Sequence, residues 1–128
     1  MGSSSPIIQL EISGSKIYAF TRDNAGTYNA VHDIGPNITN AGWTHVAMTI
    51  DDNGKLTGVY VNGVNIGSAT TNTLSTMTIT NTKIGVLMYG AYPSGLDFFN
   101  GQIDDVRVYN YALTGTQIKT LYNENSAI

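Results

Sequence analysis

The sequence contains no cysteine among its 128 residues. This absence excludes a disulfide framework, thiolate metal sites and cysteine nucleophiles, and it leaves the redox compartment open. Only 12% of the residues are charged, and the net charge is -3. A basic surface for nucleic acid is therefore not expected. No apolar run approaches the roughly 20 residues of a transmembrane helix, so a membrane span is not expected either.

Threonine and asparagine supply most of the polar surface, with sixteen of the first and thirteen of the second. Threonine favours strands and asparagine favours turns, so the composition indicates an all-β protein with a neutral surface, which is typical of secreted or virion-exposed modules. The length suits one domain. We interpret residues 1–5 as a leader or cloning scar and residues 6–128 as a single domain.

Strand patterns follow one another at short spacing along the chain. Ile8, Leu10 and Ile12 alternate with polar residues, which places one apolar face inward. Further strands are predicted at residues 16–22, 28–34, 43–50, 56–61, 64–68, 77–80, 83–88 and 98–110. In the strand at 43–50 the core set is predicted to be Thr44, Val46, Met48 and Ile50.

Turn and helix signals complete the pattern. Asp52-Asn53-Gly54 and Asn62-Gly63 predict hairpins with type I′ turns, which need positive φ at both central residues. In the last strand Val106 and Val108 share one face, and a bulge near residues 104–105 would bring Ile103 into step.

The single helix is predicted over residues 114–122, where Thr114 and Gln117 have capping-box spacing. Together the elements predict an all-β, two-sheet antiparallel β-sandwich with one short C-terminal helix.

Four stretches resemble one known family. They are residues 42–51 (GWTHVAMTID), 59–64 (VYVNGV), 99–113 (FNGQIDDVRVYNYAL) and 117–122 (QIKTLY). The chain resembles a laminin-G-like, concanavalin A-like jelly-roll domain of the bacterial and phage type over roughly residues 8–123. The resemblance implies a lectin-type sandwich.

The family usually begins with further strands that this chain lacks. Either the chain is truncated, or a neighbouring copy or partner strand fills the gap, because an open sheet edge invites pairing. We therefore expect self-association into a homo-oligomer or pairing with a strand-donating partner.

Glycoside hydrolysis needs two carboxylates across the sugar. Asp104 and Asp105 are neighbours, so a regular strand would point them to opposite faces, and the Glu-x-Asp-x-x-Glu arrangement of related glucanases does not occur. Glu11 and Glu124 are the only glutamates. We expect no enzyme.

Calcium is the cofactor that the chain could hold, since relatives of this fold often bind it. Asp97, Asp104 and Asp105 could supply hard oxygen ligands, and the alternative is ordinary capping and pairing with Arg107. Asp51 to Gly54 begins like a calcium loop, but its twelfth position is Asn62, so a hairpin is the better interpretation. Zinc is not expected, because His32 and His45 lack a third ligand nearby in sequence.

Sugar recognition uses an aromatic face together with a few amide or carboxylate groups. Tyr89 and Tyr92 could form the platform, with Asp97 and Asn100 bonding the hydroxyls. Alternatively, both tyrosines cover the edge of the sandwich. Trp43 is a further candidate, although its place in the family-like motif favours a structural role.

The function predicted from these features is a non-catalytic carbohydrate-binding or adhesion module whose partner is a glycan or polysaccharide. It would belong to a larger extracellular, cell-surface or viral protein. The alternative is a structural or assembly module that mediates protein contacts, such as a decoration, tail or spacer domain.

Overall fold

The structure is a computed structural model that describes residues 6–88 and 96–126 of the chain. Short strands dominate it, and one helix follows them. The elements are β1 (Ile7–Ser13), β2 (Lys16–Arg22), β3 (Tyr28–Val31), β4 (Val46–Ile50), β5 (Leu56–Val61), β6 (Val64–Ala69), β7 (Val86–Met88), β8 (Leu96–Phe98) and α1 (Gly115–Ser126).

The first sheet has the antiparallel order β1-β2-β3. On β2 the inward residues Ile17, Ala19 and Thr21 are almost completely buried, while their neighbours lie on the outer face. The register sets Leu10 of β1 opposite Ala19, so the apolar set predicted for the first strand lies on the inner face, but Ile8 and Ile12 are each 44% exposed and only Leu10 packs against the core. The strand predicted at 28–34 ends at Val31, because Asp33 adopts a left-handed φ of 59° that interrupts extended backbone.

The second sheet has the antiparallel order β4-β5-β6. Its middle strand β5 contributes Leu56, Val59 and Val61 to the core. Val46, Met48 and Ile50 of β4 pack against this core, as predicted from their alternation, but the most buried residue of the strand is Thr49 of the opposite set, which is 5% exposed. The strand itself begins at Val46, so residues 43–45 precede it.

The inner faces of the two sheets form one hydrophobic core. Ile17, Ala19 and Val31 from the first sheet meet the three buried residues of β5. This is a two-sheet antiparallel β-sandwich with one C-terminal helix, which confirms the predicted fold class. A separate two-stranded hairpin pairs β7 with β8.

The two hairpin signals give different turns. Asn62 and Gly63 have φ values of 49° and 77°, as a type I′ turn requires. In the other turn only Gly54 has a positive φ, 72°, so the prediction of a type I′ turn there is wrong. The Gly54 N–H donates to the Asp51 carbonyl at 3.0 Å, and Asp51 Oδ1 accepts from the N–H groups of Asn53 and Lys55 at 2.8 and 3.0 Å. The carboxylate thus builds the turn itself, which supports the hairpin interpretation over a calcium loop.

Buried polar side chains fasten the segment after β6 to one end of the sandwich. Asp23 is 1% exposed, and its carboxylate accepts from the Thr27 N–H at 2.9 Å and from the N–H and hydroxyl of Ser75 at 2.8 and 2.9 Å. The N–H of Asn24 donates to the Thr76 carbonyl. Further along the segment, the Thr78 N–H donates to Asn24 Oδ1 at 3.2 Å and not to a neighbouring strand. Residues 77–80 are not in a strand, so the strand predicted there is wrong.

The C-terminal segment, residues 99–112, differs most from the predicted structure. Of the strand predicted at 98–110, only Phe98 is in a strand, and residues 99–112 are all exposed. Val106 and Val108 are 54% and 92% exposed, so they do not form a core face. Asp105 has a left-handed φ of 51°, but with no strand around it there is no bulge. Among the described residues no strand pairs with this segment, and an extended chain without a partner gains no ladder hydrogen bonds.

Helix α1 begins as its sequence predicts. The Thr114 N–H donates to Gln117 Oε1 at 2.8 Å, and the Gln117 N–H donates to Thr114 Oγ1 at 3.2 Å, which is a complete capping box. Ile118 is 3% exposed and anchors the predicted apolar stripe. In the described part of the chain, no helix is both long and apolar enough to cross a membrane.

Candidate functional site

The outer side of the first sheet carries a row of aromatic rings. Strand alternation turns Tyr18 and Phe20 of β2 outward, and Tyr28 and His32 lie beside them at the start and just past the end of β3. We call these four residues the aromatic face. Ring centroids are 6.0 Å apart for Tyr18 and Phe20, 5.4 Å for Phe20 and Tyr28, and 5.6 Å for Tyr18 and His32. The four rings therefore make one continuous surface.

Charged groups border this surface on both sides. The guanidinium carbon of Arg22 lies 5.7 Å from the centre of the Phe20 ring, a cation–π distance. On the neighbouring strand Glu11 pairs in register with Tyr18. The pKa of Glu11 is raised by partial burial and, to a smaller extent, by the negative charge of Asp97, against a hydrogen bond with Gln9 that lowers it. Asp97 of β8 thus lies within electrostatic reach of the aromatic face.

A shallow cleft opens at one end of the aromatic face. Ser13, Tyr18, His32 and Asp33 line it, and it encloses about 210 Å³. His32 Nδ1 lies 2.8 Å from Asp33 Oδ2, which fixes the orientation of the imidazole ring. The pKa of Tyr18 is raised by partial burial and then by the charge of Glu11, so its hydroxyl stays protonated at neutral pH. Hydroxyl, imidazole and carboxylate groups therefore surround a ring that can stack against a ligand.

The family model described as the concanavalin A-like lectin/glucanases superfamily matches residues 1–119. The chain belongs to this superfamily. No curated protein sequence matches the chain.

Among solved structures, the chain is similar to an S-layer domain-containing protein of Clostridium thermocellum ATCC 27405, residues 221–444. The two share 22% sequence identity with a TM-score of 0.55, over 90% of this chain and 63% of that one. This similarity shows the fold and agrees with the superfamily. The chain spans less than two-thirds of the solved domain.

The structure describes three of the five residues predicted for sugar binding. Tyr89 and Tyr92 lie outside the described residues. Asp97 and Asn100 are exposed, and Asp97 acts on Glu11 as described above. Trp43 is 69% exposed before β4, so it is not a core residue of this superfamily member.

Two of the three aspartates suggested as calcium ligands, Asp104 and Asp105, have protein partners in the structure. Asp105 binds Arg107 through both carboxylate oxygens, at 2.9 and 3.1 Å, which is the pairing weighed as the alternative to a metal. Asp104 Oδ1 accepts from the Asp105 N–H at 2.7 Å. Within residues 6–88 and 96–126, no group of three or more His, Asp or Glu side chains is placed to hold a metal ion. Calcium binding at Asp97, Asp104 and Asp105 stays a prediction.

The aromatic face was not predicted from the sequence, although part of the residue pattern that forms it can be seen there. In residues 16–22 the set Tyr18, Phe20 and Arg22 alternates with the buried set, and two aromatic rings are unusual on the solvent side of a strand. The position of Tyr28 cannot be predicted without the pairing of β2 with β3, which sets Arg22 opposite Tyr28. That register brings the third ring beside the first two.

Proposed function

We propose that this chain is a non-catalytic binding module of a larger extracellular or cell-surface protein, and that its aromatic face holds a neutral polysaccharide. The observation that carries the proposal is the continuous contact of Tyr18, Phe20, Tyr28 and His32 on the outside of the sandwich. The superfamily includes lectins, and the similar solved structure is named an S-layer domain-containing protein. Both support a surface location for the parent protein.

Stacking explains why this surface suits sugars. The apolar side of a pyranose ring packs on an aromatic ring, and bordering polar groups bond its hydroxyls. Tyr28 is 54% exposed, so its ring is open to a ligand. Gln9 and Glu11 on the adjacent strand offer an amide and a carboxylate at the border.

The arrangement favours a chain of sugars over a single one. Three rings follow one another at centroid spacings of 6.0 and 5.4 Å, so successive sugar units can each meet a ring. The adjoining cleft is small and shallow. Affinity would therefore accumulate over several units, because each further sugar of a bound chain meets its ring at a high effective concentration.

Glu11, Asp33 and Asp97 are the carboxylates at or near this surface, and a glycosidase would need two of them across the sugar. The raised pKa of Glu11 has an ordinary cause in its partial burial beside a second negative charge. We expect no turnover of polysaccharides that bind, and no change in that result with Glu11→Gln. Release of reducing ends that Glu11→Gln abolishes would make the protein a glycosidase instead.

The experiment is a glycan-array screen, followed by titration of the best ligand against variants. Tyr28→Ala should weaken binding by about tenfold or more, because it removes an exposed stacking ring, and should leave stability within about 1 kcal/mol. Trp43→Ala is the matched control, since Trp43 is also an exposed aromatic but makes no ring contact with the aromatic face. Loss of binding in Trp43→Ala with full binding in Tyr28→Ala would reject the assignment.

Calcium is tested in the same screen by running it with calcium and with a chelator. Stacking on the aromatic face requires no metal, so binding should survive chelation. Binding that disappears in chelator would move the site to Asp97, Asp104 and Asp105, and single Asp→Asn changes there would follow.

A second candidate function is an assembly module, and exposed apolar residues in the C-terminal segment favour it. Large hydrophobic side chains there and in the adjoining β8 are open to solvent; they are Phe98, Phe99, Ile103, Val106, Val108, Tyr109 and Tyr111. Contiguous apolar surface commonly marks a protein contact. The test is mass in solution by sedimentation across a concentration series. A dimer that Val108→Asp dissociates would support assembly, and a strict monomer would count against it.

A further inference from the structure

A groove between the C-terminal segment and α1 has no role in the proposed polysaccharide site. One wall is formed by Tyr109, Tyr111 and Leu113, and the other by helix residues that include Gln117, Thr120 and Leu121. The groove is a shallow depression open to solvent, with a volume of about 260 Å³, which is below the roughly 300 Å³ of small-molecule pockets. This size suits one sugar ring or a similar small group.

The two tyrosines make a corner rather than a flat platform. Their centroids are 6.1 Å apart and their planes are inclined by 73°. Tyr109 is 40% exposed and Tyr111 is 59% exposed, so both rings can contact a ligand. Hydrogen bonds to Asp105 and, to a smaller extent, to Tyr109 raise the pKa of Arg107, and Arg107 Nε and Nη2 donate to the two carboxylate oxygens of Asp105 at 2.9 and 3.1 Å.

The helix side of the groove presents a donor and an acceptor on ordered side chains. Gln117 Oε1 is held by the Thr114 N–H at 2.8 Å, so the amide NH₂ at the other end of the same planar group remains to donate. The Thr120 hydroxyl donates to the Thr116 carbonyl at 3.0 Å, which leaves its oxygen lone pairs to accept. Gln117 and Thr120 are three residues apart and therefore neighbours on the helix surface.

We propose that this groove binds the acetamido group and ring of an N-acetylhexosamine. The Gln117 NH₂ group donates to the acetamido carbonyl, and Thr120 Oγ1 accepts from the acetamido N–H. The acetamido methyl packs against Leu121 and the sugar ring packs against Tyr111. No charged side chain lines the groove in the described part of the chain, which suits a neutral ligand.

This site is separate from the aromatic face, and each can fail without the other. Selectivity here rests on matching an amide with one donor and one acceptor, so a sugar with a hydroxyl in that place leaves both groups poorly satisfied. The aromatic face makes no such distinction, because stacking is available to any pyranose.

The test compares N-acetylglucosamine and glucose in an NMR titration of the intact chain, monitored at the tyrosine ring signals. N-acetylglucosamine should bind about tenfold or more tightly than glucose. Gln117→Glu keeps the oxygen that accepts from Thr114 but removes the NH₂ donor, so it should abolish this preference while α1 keeps its helical signal in circular dichroism. Tyr111→Ala should weaken both sugars.

Tyr28→Ala is the control for location. It should leave N-acetylglucosamine affinity within about twofold, because Tyr28 belongs to the aromatic face. Equal affinity for the two sugars, no binding by the folded protein, or a full preference retained in Gln117→Glu would each overturn the proposal. Loss of polysaccharide binding in Tyr28→Ala with the N-acetylglucosamine preference intact would show both sites at once.

Discussion

The sandwich formed by β1 to β6 and the C-terminal segment at 99–112 have similar strand-like sequences but different structures. In the sandwich, Leu56 and Val59 are fully buried between two paired sheets. In the C-terminal segment, Val106 and Val108 alternate in the same way yet are 54% and 92% exposed. Both sequences favour extended backbone, so propensity does not separate them.

The difference lies in the number of neighbours available to each strand. β5 has a strand on both sides, so its backbone groups have hydrogen-bond partners. A second sheet lies across the core, so its apolar side chains are buried. The C-terminal segment has no strand partner within the described residues. A period-two pattern therefore predicts which face a strand would bury, but burial also requires a surface to pack against.

The largest expected effect comes from shortening one buried and one exposed side chain to alanine, one in each region. Leu56→Ala should lower the free energy of unfolding by about 2–5 kcal/mol, because it leaves a cavity in the core. Val108→Ala should change it by less than about 0.5 kcal/mol, because the side chain is already in water. Denaturant titration of both variants and the parent chain measures the difference.

The outcome that would break the comparison is a large cost for Val108→Ala. Such a cost would mean that the segment is packed in solution. Repeating the titration over a range of protein concentrations then separates packing against a second copy from packing within one chain, since only the first depends on concentration.

The next effect in size concerns Asp23, which joins the sandwich to the loop after β6. Hydrogen bonds, foremost from the Ser75 N–H, hold the pKa of this carboxyl below its ordinary value, although burial opposes them. A lowered pKa in the folded state gives stability that is present above the unfolded pKa of about 3.9 and is lost as pH falls through the folded value. The parent chain should therefore lose stability steeply in acid.

Asp23→Asn should remove part of that acid dependence and also lower stability at neutral pH. Denaturation at a series of pH values from 7 down to about 2, which extends below the unfolded pKa of the carboxyl, gives both quantities. Asp52→Asn, at an exposed turn residue, is the control and should follow the parent curve. Parallel acid limbs for Asp23→Asn and the parent would show that the Ser75 contact does not form in solution.

The same regions show which structural features can be predicted from the sequence and which cannot. The hairpin at Asn62-Gly63 and the capping box at Thr114 and Gln117 were predicted in detail, because each depends on a few adjacent residues. The strand at 98–110 was predicted wrongly, because its pairing depends on residues far away in the chain. The aromatic face was missed for the same reason, since Tyr28 joins Phe20 only through the β2–β3 register.

The smallest predicted effect lies where the two regions meet, at His45. Its ring lies 6.0 Å from that of Tyr122 on α1, and its Nδ1 is buried with no hydrogen-bond partner among the described residues. Partial burial lowers the pKa of His45, while the charge of Asp105 raises it and that of Arg107 lowers it. The folded chain therefore favours the neutral form of the His45 imidazole ring.

Because the folded pKa lies below the unfolded value of about 6.5, stability should fall as pH drops below that value and the unfolded chain takes up the proton first. The loss should stay below about 1 kcal/mol, since the ring is still partly open to solvent. Denaturation at pH 7.5 and 5.5 measures it, with His45→Gln expected to flatten the difference and His32→Gln, at an exposed histidine, expected to retain it. A pH difference that persists in His45→Gln would place its origin in another titratable group and would overturn this prediction.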